Sequence, residues 1–580
     1  MAASSKASSS ASGLKPPAMD DAAGAAAAVS KGGGGRGAFL AHFFLVLSVV
    51  TLCAVVYAPR FFVVSGPAAP YGAAAIVAII SSAPRPSSST SRTPSSSAAP
   101  APPLGGPLEH GAGRGGAAAA DQEHGGGALH HQQQVVLDNQ VGSPCSSLPS
   151  HTICCDRSDY HSDVCFMSGD VRTDAASLSL LLFPPPQGQG ASSSATTTAV
   201  TEERIRPYTR KWDAYITKTI HEVRLRRVVR TEAEAAAGAA HRCDVRHDAP
   251  VFVVTAGGYS HNMFHVFNDG FLPLWLTAQH LRRRVVLAVL SYSPRWAGTY
   301  GEILSGLSRY RVIDLLRDRR THCFPGAVVG TRYHDYLAVN STRLRDNRTI
   351  VDFHDFLAGV YDDDGGGGGS SRSSSTTEET PPAPRDRWPR LGIVSRKGRR
   401  VIENQAAVAA LAASVGFDVD VMETATGVPL SAVYASVSSY DALVGVHGAD
   451  LTAFLFLRPG GGGAALVQIA PLGIAMLSRN LFGVPAARMG LRYEQYDVSA
   501  RESSLSRRYP AGHVVVADPA RARREQGKQE WELVEHVYLR GQNVSLDLGR
   551  FRETLARIHS RLLKERQQRH VSAPDASPQI

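Results

Sequence analysis

Twenty consecutive residues without an Asp, Glu, Lys or Arg, at 38–57 (AFLAHFFLVLSVVTLCAVVY), place the strongest constraint on what this chain can become. As a helix they rise about 30 Å, the thickness of one hydrocarbon core. They also lack the polar face that a surface helix needs. Lys31 and Arg36 precede the run and Arg60 is the nearest charge after it, a bias that leaves the N-terminus in the cytosol. A cleaved signal peptide is the competing reading, but more than thirty residues ahead of the apolar run is long for one. The expectation is a single-pass type II membrane protein, with a cytosolic tail at 1–37, a signal anchor at 38–57 and the rest in a secretory lumen.

Composition divides the remainder. Much of the first 250 residues is Ala, Gly, Ser and Pro, too poor in large apolar side chains to bury a core. Residues 58–144 therefore read as a disordered lumenal stem, a tether rather than a fold. Residues 362–388, containing DDDGGGGGSSRSSSTTEETPPAP, read as a flexible insertion. The 61 Lys and Arg exceed the 51 Asp and Glu, which suits nucleic acid, an anionic membrane or a phosphorylated substrate. A lumenal body excludes nucleic acid. Two features agree with that compartment. Asn340, Asn347 and Asn543 each open an Asn-X-Ser/Thr glycosylation sequon. Six of the seven cysteines (Cys145, Cys154, Cys155, Cys165, Cys243 and Cys323) follow the anchor. An even count implies disulfides, with fifteen pairings open; without a CxxC pair, a zinc site is the weaker reading.

From Pro250 the pattern becomes α/β. Apolar runs at 251–255, 285–290 and 327–329 alternate with helical patterns from about Ser260 and over 301–308. After the insertion it restarts, with strands at 391–394, 418–422, 442–446 and 465–469, and helices at 404–415 and from about Asp450. Such alternation predicts parallel sheets covered on both faces. A Cys-containing segment at 145–249 would precede one Rossmann-like domain at 250–361, on the acceptor side. A second at 389–549 would hold the nucleotide, and a basic helix and tail at 550–580 would lie outside or fray. Ligands in such folds bind at the carboxyl ends of the strands, in the crevice between halves.

Three segments carry chemistry. In 257–277 (GGYSHNMFHVFNDGFLPLWLT), Asn262, His265 and Asp269 fall on one helical face, opposite Phe264, Phe267, Phe271 and Trp275. A polar stripe on a bulky apolar helix lines a pocket, and His265 or Asp269 is placed as a general base. In 443–460 (LVGVHGADLTAFLFLRPG), a buried strand turns at His447-Gly448 into an apolar helix, whose free N–H groups suit a diphosphate. In 391–404 (LGIVSRKGRRVIEN), Arg396 and Arg400 follow a strand, where guanidinium groups can grip phosphate bidentately. Two DxD patterns, Asp418-Val-Asp420 and Asp362-Asp-Asp364, offer a weaker metal-dependent alternative.

Together these segments resemble plant members of glycosyltransferase family 61. Gly257, Gly258, Tyr259, Asn262, Phe264, His265, Phe267, Asn268 and Asp269 match the pattern G-G-Y-x-x-N-x-F-H-x-F-N-D. Ser395, Arg396, Arg400 and Asn404 match a strand–Ser-Arg segment, Gly445, His447, Gly448 and Ala449 a G-x-H-G-A turn, and Val467, Gln468 and Pro471 a strand ending in Gln and Pro. Segments 155–172 and 492–505 are similar to the family's early and late motifs. The chain departs from the pattern at Asp450 and Ala453, where the family usually has Gly and, a little later, Asn.

The resemblance implies a type II Golgi enzyme of GT-B-like fold that inverts the anomeric centre without an essential metal or cofactor. Its donor would be a UDP-pentose, its acceptor xylan or a related oligosaccharide, with other xylan-synthesis enzymes as partners. Ser395, Arg396, Arg400, Asn404, His447, Gly448, Ala449 and Gln468 would bind the donor. Xylose and arabinofuranose remain open as the sugar transferred. The rival from another class is an inactive Golgi scaffold or glycan-binding partner.

Overall fold

Short apolar runs rich in Val, Leu and Ile become strands because such side chains suit a surface covered on both faces. The computed structural model describes residues 136–184, 202–228, 241–362, 388–423, 428–460 and 463–572. The tail at 1–37, the anchor at 38–57, the stem as far as residue 135 and residues 363–387 of the insertion lie outside the described residues. Among the described residues no helix is long and apolar enough to cross a membrane.

The first sheet has ten strands: β1 (Thr152–Asp156), β2 (Val164–Asp174), β3 (Ser179–Leu182), β4 (Glu202–Ile205), β5 (Val223–Arg227), β6 (Val245–Arg246), β7 (Val251–Thr255), β8 (Val286–Leu290), β9 (Ile313–Asp314) and β10 (His322–Gly330). Strands β10, β7, β8 and β9 run parallel. At β10 the parallel run ends, because β2 pairs with it antiparallel and β1 and β3 pair antiparallel with β2. The Cys-containing segment thus supplies the antiparallel part of a mixed sheet, where a doubly wound parallel one was expected. Its disulfides are Cys145–Cys154, Cys155–Cys165 and Cys243–Cys323. Cys154 and Cys155 are neighbours on β1, so their side chains leave opposite faces and each finds its own partner.

The second sheet comprises β11 (Arg390–Ser395), β12 (Asp418–Glu423), β13 (Ala442–Val446), β14 (Ala465–Ala470) and β15 (Arg492–Asp497), all parallel, in the order β12-β11-β13-β14-β15. Alternate residues serve opposite faces. Ile393, Val444 and Val467 pack with helices 405–415 and 548–572. Val394, Leu443 and Leu466 face 430–438 and 449–456. The C-terminal helix does not fray: Phe551, Leu555, Ile558 and Leu562 form its buried stripe. The element at 449–456 is a 3-10 helix rather than the α-helix expected near Asp450.

Both sheets belong to one compact unit. One apolar core runs from Phe252 and Leu287 in the first sheet to Leu443 and Leu466 in the second. Aromatic pairs carry it across, with Phe264 to Phe482 at 5.6 Å and Phe267 to Phe456 at 6.0 Å between ring centres. This packing sets the helix over 263–278 against the 449–456 element and so brings two of the predicted segments together.

Candidate functional site

The first wall of the site follows from how one helix begins and where it is interrupted. Asn262 is the N-cap, its Oδ1 accepting from the Phe264 N–H at 3.0 Å. It therefore starts the helix as well as lining the cleft beside His265. The helix widens to a π-helical segment at Val266–Phe271 and returns to α at Leu272–Ala278. Pro273 lacks an N–H and cannot bond the Asp269 carbonyl four residues back. Thr209 Oγ1 donates to that carbonyl instead, at 3.1 Å. Within this segment His265 Nδ1 meets Asp269 Oδ2 at 2.6 Å.

Asp269 is buried and fully engaged. Arg210 Nε donates to its Oδ2 at 2.7 Å and Asn268 Nδ2 to its Oδ1 at 2.6 Å. Burial alone would raise the carboxyl pKa, but the Arg210 charge and the His265 contact hold it down to about 2. A carboxylate at Nδ1 fixes the imidazole with its proton on that nitrogen and leaves Nε2 as the basic atom. The Tyr259 ring lies 4.8 Å from the imidazole, and its hydroxyl donates to Asp213 at 3.2 Å. Gly258 lets Tyr208 pack against the turn and accept from the Tyr259 N–H at 3.2 Å: its φ is +67°, and a Cβ there would collide with the Tyr208 ring.

The second wall lies where the second sheet switches direction. From β11 the chain passes to β12 on one side and then to β13 on the other, so the loops after β11 and β13 part and leave a crevice. Arg396 follows β11 and His447-Gly448 follows β13. The close approach of Arg396 requires a glycine, since a Cβ on Gly448 would overlap its guanidinium. Arg396 Nη1 forms an ion pair with Asp450 Oδ2 at 2.7 Å, in a geometry that makes no hydrogen bond. Arg400 donates from Nη1 to the Leu539 carbonyl at 2.7 Å, while its buried Nε has no partner among the described residues. Burial, and then the neighbouring Arg396 charge, push the Arg400 pKa down to about 10. His447 is buried, and desolvation followed by Arg400 and Arg396 holds its pKa well below the usual histidine value. Gln468 Nε2 donates to its Nδ1 at 3.0 Å and receives the Tyr493 hydroxyl on Oε1 at 2.7 Å. His447 is thus a neutral ring with its proton on Nε2.

The walls face each other across a cleft of about 470 Å³, lined from one side by Tyr259, Asn262 and His265 and from the other by Arg400, His447, Gly448 and Ala449. Not every predicted residue reaches it. Both ends of the Asn404 amide are spent on the Leu546 backbone, at 2.8 and 3.0 Å, which ties the chain after β15 to the sheet. Ser395, Arg396 and Asp450 stand outside the cleft lining, with the Arg396 guanidinium packed against Gly448, and Gln468 acts through His447. Sequence reasoning missed Arg210, Trp212, Asp213, Tyr336, Trp531 and Arg540, all of which line the cleft. They arrive from segments distant in sequence, Trp531 from a short helix at Glu530–Leu533, and no local pattern marks them.

Of the DxD alternatives, Asp418-Val-Asp420 finds no place at the cleft. Asp418 and Asp420 lie on edge strand β12, with Asp420 accepting from the Tyr440 hydroxyl. Of the Asp362 to Asp364 pattern, only Asp362 is among the described residues. Among those residues no three His, Cys, Asp or Glu side chains converge in a way that could hold a metal ion. Two sequons lie open, with Asn340 and Asn347 both exposed. Asn543 is half-buried, with Oδ1 accepting from the Val401 N–H at 3.1 Å.

The family model described as Glycosyltransferase 61 matches residues 263–464, a range that holds His265, Asp269, Arg396, Arg400 and His447. "Xylan glycosyltransferase MUCI21" of Arabidopsis thaliana is 34% identical over 430 residues, covering 74% of this chain and 83% of that protein. "Beta-1,2-xylosyltransferase XYXT1" of Oryza sativa subsp. japonica is 35% identical over 415 residues, 70% of this chain and 84% of that protein. "Alpha-1,3-arabinosyltransferase XAT3" of the same organism is 32% identical over 402 residues, 69% of this chain and 64% of that protein.

Proposed function

Because the chain belongs to glycosyltransferase family 61, we propose that it is an inverting pentosyltransferase of the Golgi membrane. In this reading it transfers xylose from UDP-xylose onto xylan or its arabinosyl side chains. The observation that carries the reading is the cleft itself, which sets an oriented imidazole opposite under-paired guanidinium groups. The diphosphate of UDP lies on Arg396, Arg400 and the turn at His447 to Asp450. An acceptor hydroxyl gives its proton to His265 Nε2 as its oxygen attacks the pentose C1 from the face opposite UDP. The bond from C1 to the β-phosphate oxygen breaks, and the arginines stabilise the charge gathering on that oxygen. The products are the extended glycan, UDP and one proton. Two sheets flanking the cleft support a GT-B-like organisation, and guanidinium groups at the diphosphate support catalysis without an essential metal. The apolar run at 38–57 and three disulfides support a type II protein in an oxidising lumen.

Arabinofuranosyl transfer is the second reading, favoured by relatives of similar identity that carry either name. Microsomes bearing the chain, supplied with radiolabelled UDP-xylose or UDP-arabinofuranose and xylo-oligosaccharides, distinguish the two. Transfer of xylose that persists in EDTA is the expected result. Transfer of arabinose alone selects the second reading, dependence on added manganese overturns the metal-free mechanism, and no transfer from either donor overturns both readings.

A further inference from the structure

The cleft has an aromatic rim that the proton-transfer and diphosphate walls leave unused. Trp212 lines the cleft, with the Arg210 guanidinium 5.3 Å from its ring centre. Tyr160 lies nearly parallel to it, with 8° between the planes and 6.4 Å between ring centres. His161 meets Tyr160 edge-on at 5.2 Å and lies 4.5 Å from Tyr333. A surface tyrosine needs no special reason to be exposed, but Tyr160 is 57% exposed while continuing a packed aromatic row.

The row is also held in place. Lys211 ties the two loops that carry it: its N–H donates to the His161 carbonyl at 3.1 Å, and its Nζ to Asp163 at 2.9 Å and to the Arg157 carbonyl at 3.0 Å. Asp213 anchors the other side by capping the turn at Ala214–Thr217 and accepting from Tyr259. The ledge begins beside the proposed base. Contacts run from His265 to Tyr259, from Tyr259 to Arg210 at 5.8 Å, and on to Trp212 and Tyr160.

Rigid, part-exposed aromatic faces with hydroxyl-binding groups beside them suit the C–H face of a sugar ring, which is apolar while its rim is polar. Asp213, next to Trp212 on this row, offers a carboxylate to sugar hydroxyl groups, while Glu535 is paired with Arg540. We propose that Trp212 and Tyr160 form a stacking subsite for the neutral pentosan chain of the acceptor, gripping sugar units beyond the one that receives the new residue. The proposal rests on the transferase reading for its choice of sugar. It makes the enzyme prefer long acceptors to short ones.

Direct binding tests the subsite apart from turnover. Full-length protein in detergent micelles is titrated calorimetrically with xylobiose, xylohexaose and UDP. Wild type binds xylohexaose more tightly than xylobiose. Tyr160→Ala weakens xylohexaose about 3- to 10-fold and leaves UDP affinity unchanged, and Tyr160→Phe restores the xylohexaose affinity. Trp212→Ala removes packing on Arg210, so its melting temperature is measured beside the titration, while exposed Tyr160 carries the decision. Unchanged xylohexaose affinity in Tyr160→Ala, or no xylohexaose binding by wild type, overturns the subsite. Tyr160-dependent binding in a protein that transfers no sugar upholds the subsite and overturns the enzymatic reading. Normal transfer with a Tyr160-independent affinity does the reverse.

Discussion

The two charged walls of the cleft are built on opposite principles. On the His265 wall every charge is answered. Asp269 accepts from His265, Arg210 and Asn268, and all of it rests on a packed helix whose neighbouring aromatic residues are buried. On the Arg396 wall cations exceed anions. Arg396 and Arg400 share one nearby carboxylate, Asp450, and Arg400 keeps a buried Nε without a partner among the described residues. A satisfied network holds a side chain still and fixes its tautomer. An under-satisfied one stores unfavourable self-energy that an arriving anion relieves. The difference suits the tasks proposed for the walls, proton transfer for the first and diphosphate binding for the second.

The largest test of that division is His265→Ala. Loss of a general base costs on the order of 10²–10⁴-fold in rate, so turnover falls by that factor while UDP affinity stays within about twofold. If UDP binding disappears together with turnover, the walls have been assigned to the wrong tasks.

Asp269→Ala probes how tightly the first wall is balanced. It leaves Arg210, whose side chain is only 12% exposed, without its carboxylate. Breaking a buried pair in this way destabilises by about 3–5 kcal/mol, readable as a fall in thermal or denaturant midpoint. The pH dependence follows from sign. The folded Asp269 pKa of about 2 lies below the ordinary 3.8, so its stabilisation is complete above about pH 4. It is lost as the pH falls toward 2, and amounts to on the order of 2 kcal/mol. Wild type therefore loses more stability than the variant over that interval. Parallel acid-unfolding curves for the two proteins count against the ionised pair.

These contrasts also show how far the sequence could be read. Strands β7, β8, β11, β13 and β14 were legible as apolar runs, and the His265–Asp269 pair and the His447-Gly448 turn as motif residues. The pairing of β2 with β10 was not, because it joins residues about 150 positions apart and leaves no local period. Asn262 both caps the helix and lines the cleft, two roles that a polar residue at a helix start leaves equally open in sequence. The π-helical segment came from a proline whose effect depends on Thr209, far away in sequence. Arg210 and Trp212 were invisible for the same reason. The wall built on a helix was therefore legible in part, while the partners that complete it were not.

Variants of the second wall sharpen the comparison at smaller amplitude. A hydrogen bond to a charged group contributes about 1.5–3 kcal/mol, so removing one guanidinium weakens UDP roughly 10- to 100-fold. Arg396 must leave its ion pair with Asp450 to meet a phosphate and stands outside the cleft lining, whereas Arg400 lines the cleft with an Nε that has no partner among the described residues, so the loss is larger at Arg400. Arg400→Gly suits its φ of +54° and removes the side chain without backbone strain. Titration of UDP into both variants should place Arg396→Ala nearer 10-fold and Arg400→Gly nearer 100-fold. The reverse order contradicts the account of which cation is occupied.

Asp450 provides the smallest and most specific test. Its carboxylate pairs with Arg396 and stands in the first turn of the 449–456 element, at the proposed diphosphate seat. A diphosphate arriving there must displace this internal anion from Arg396 and also bear its repulsion, and both effects oppose binding. Asp450→Gly removes both, so UDP should bind about 3- to 10-fold more tightly, on the order of 1 kcal/mol for a partly exposed ion pair. The same substitution removes a negative charge from a helix N-terminus, where it is favourable by about 0.3–1 kcal/mol, so stability should fall slightly as affinity rises. Asp450→Asn separates charge from shape: if repulsion is the cause, it tightens UDP almost as much as glycine does. Weaker UDP binding in both variants would mean that Asp450 holds the donor directly, and the second wall would then bind through a hydrogen bond from the donor to this carboxylate as well as through its cations.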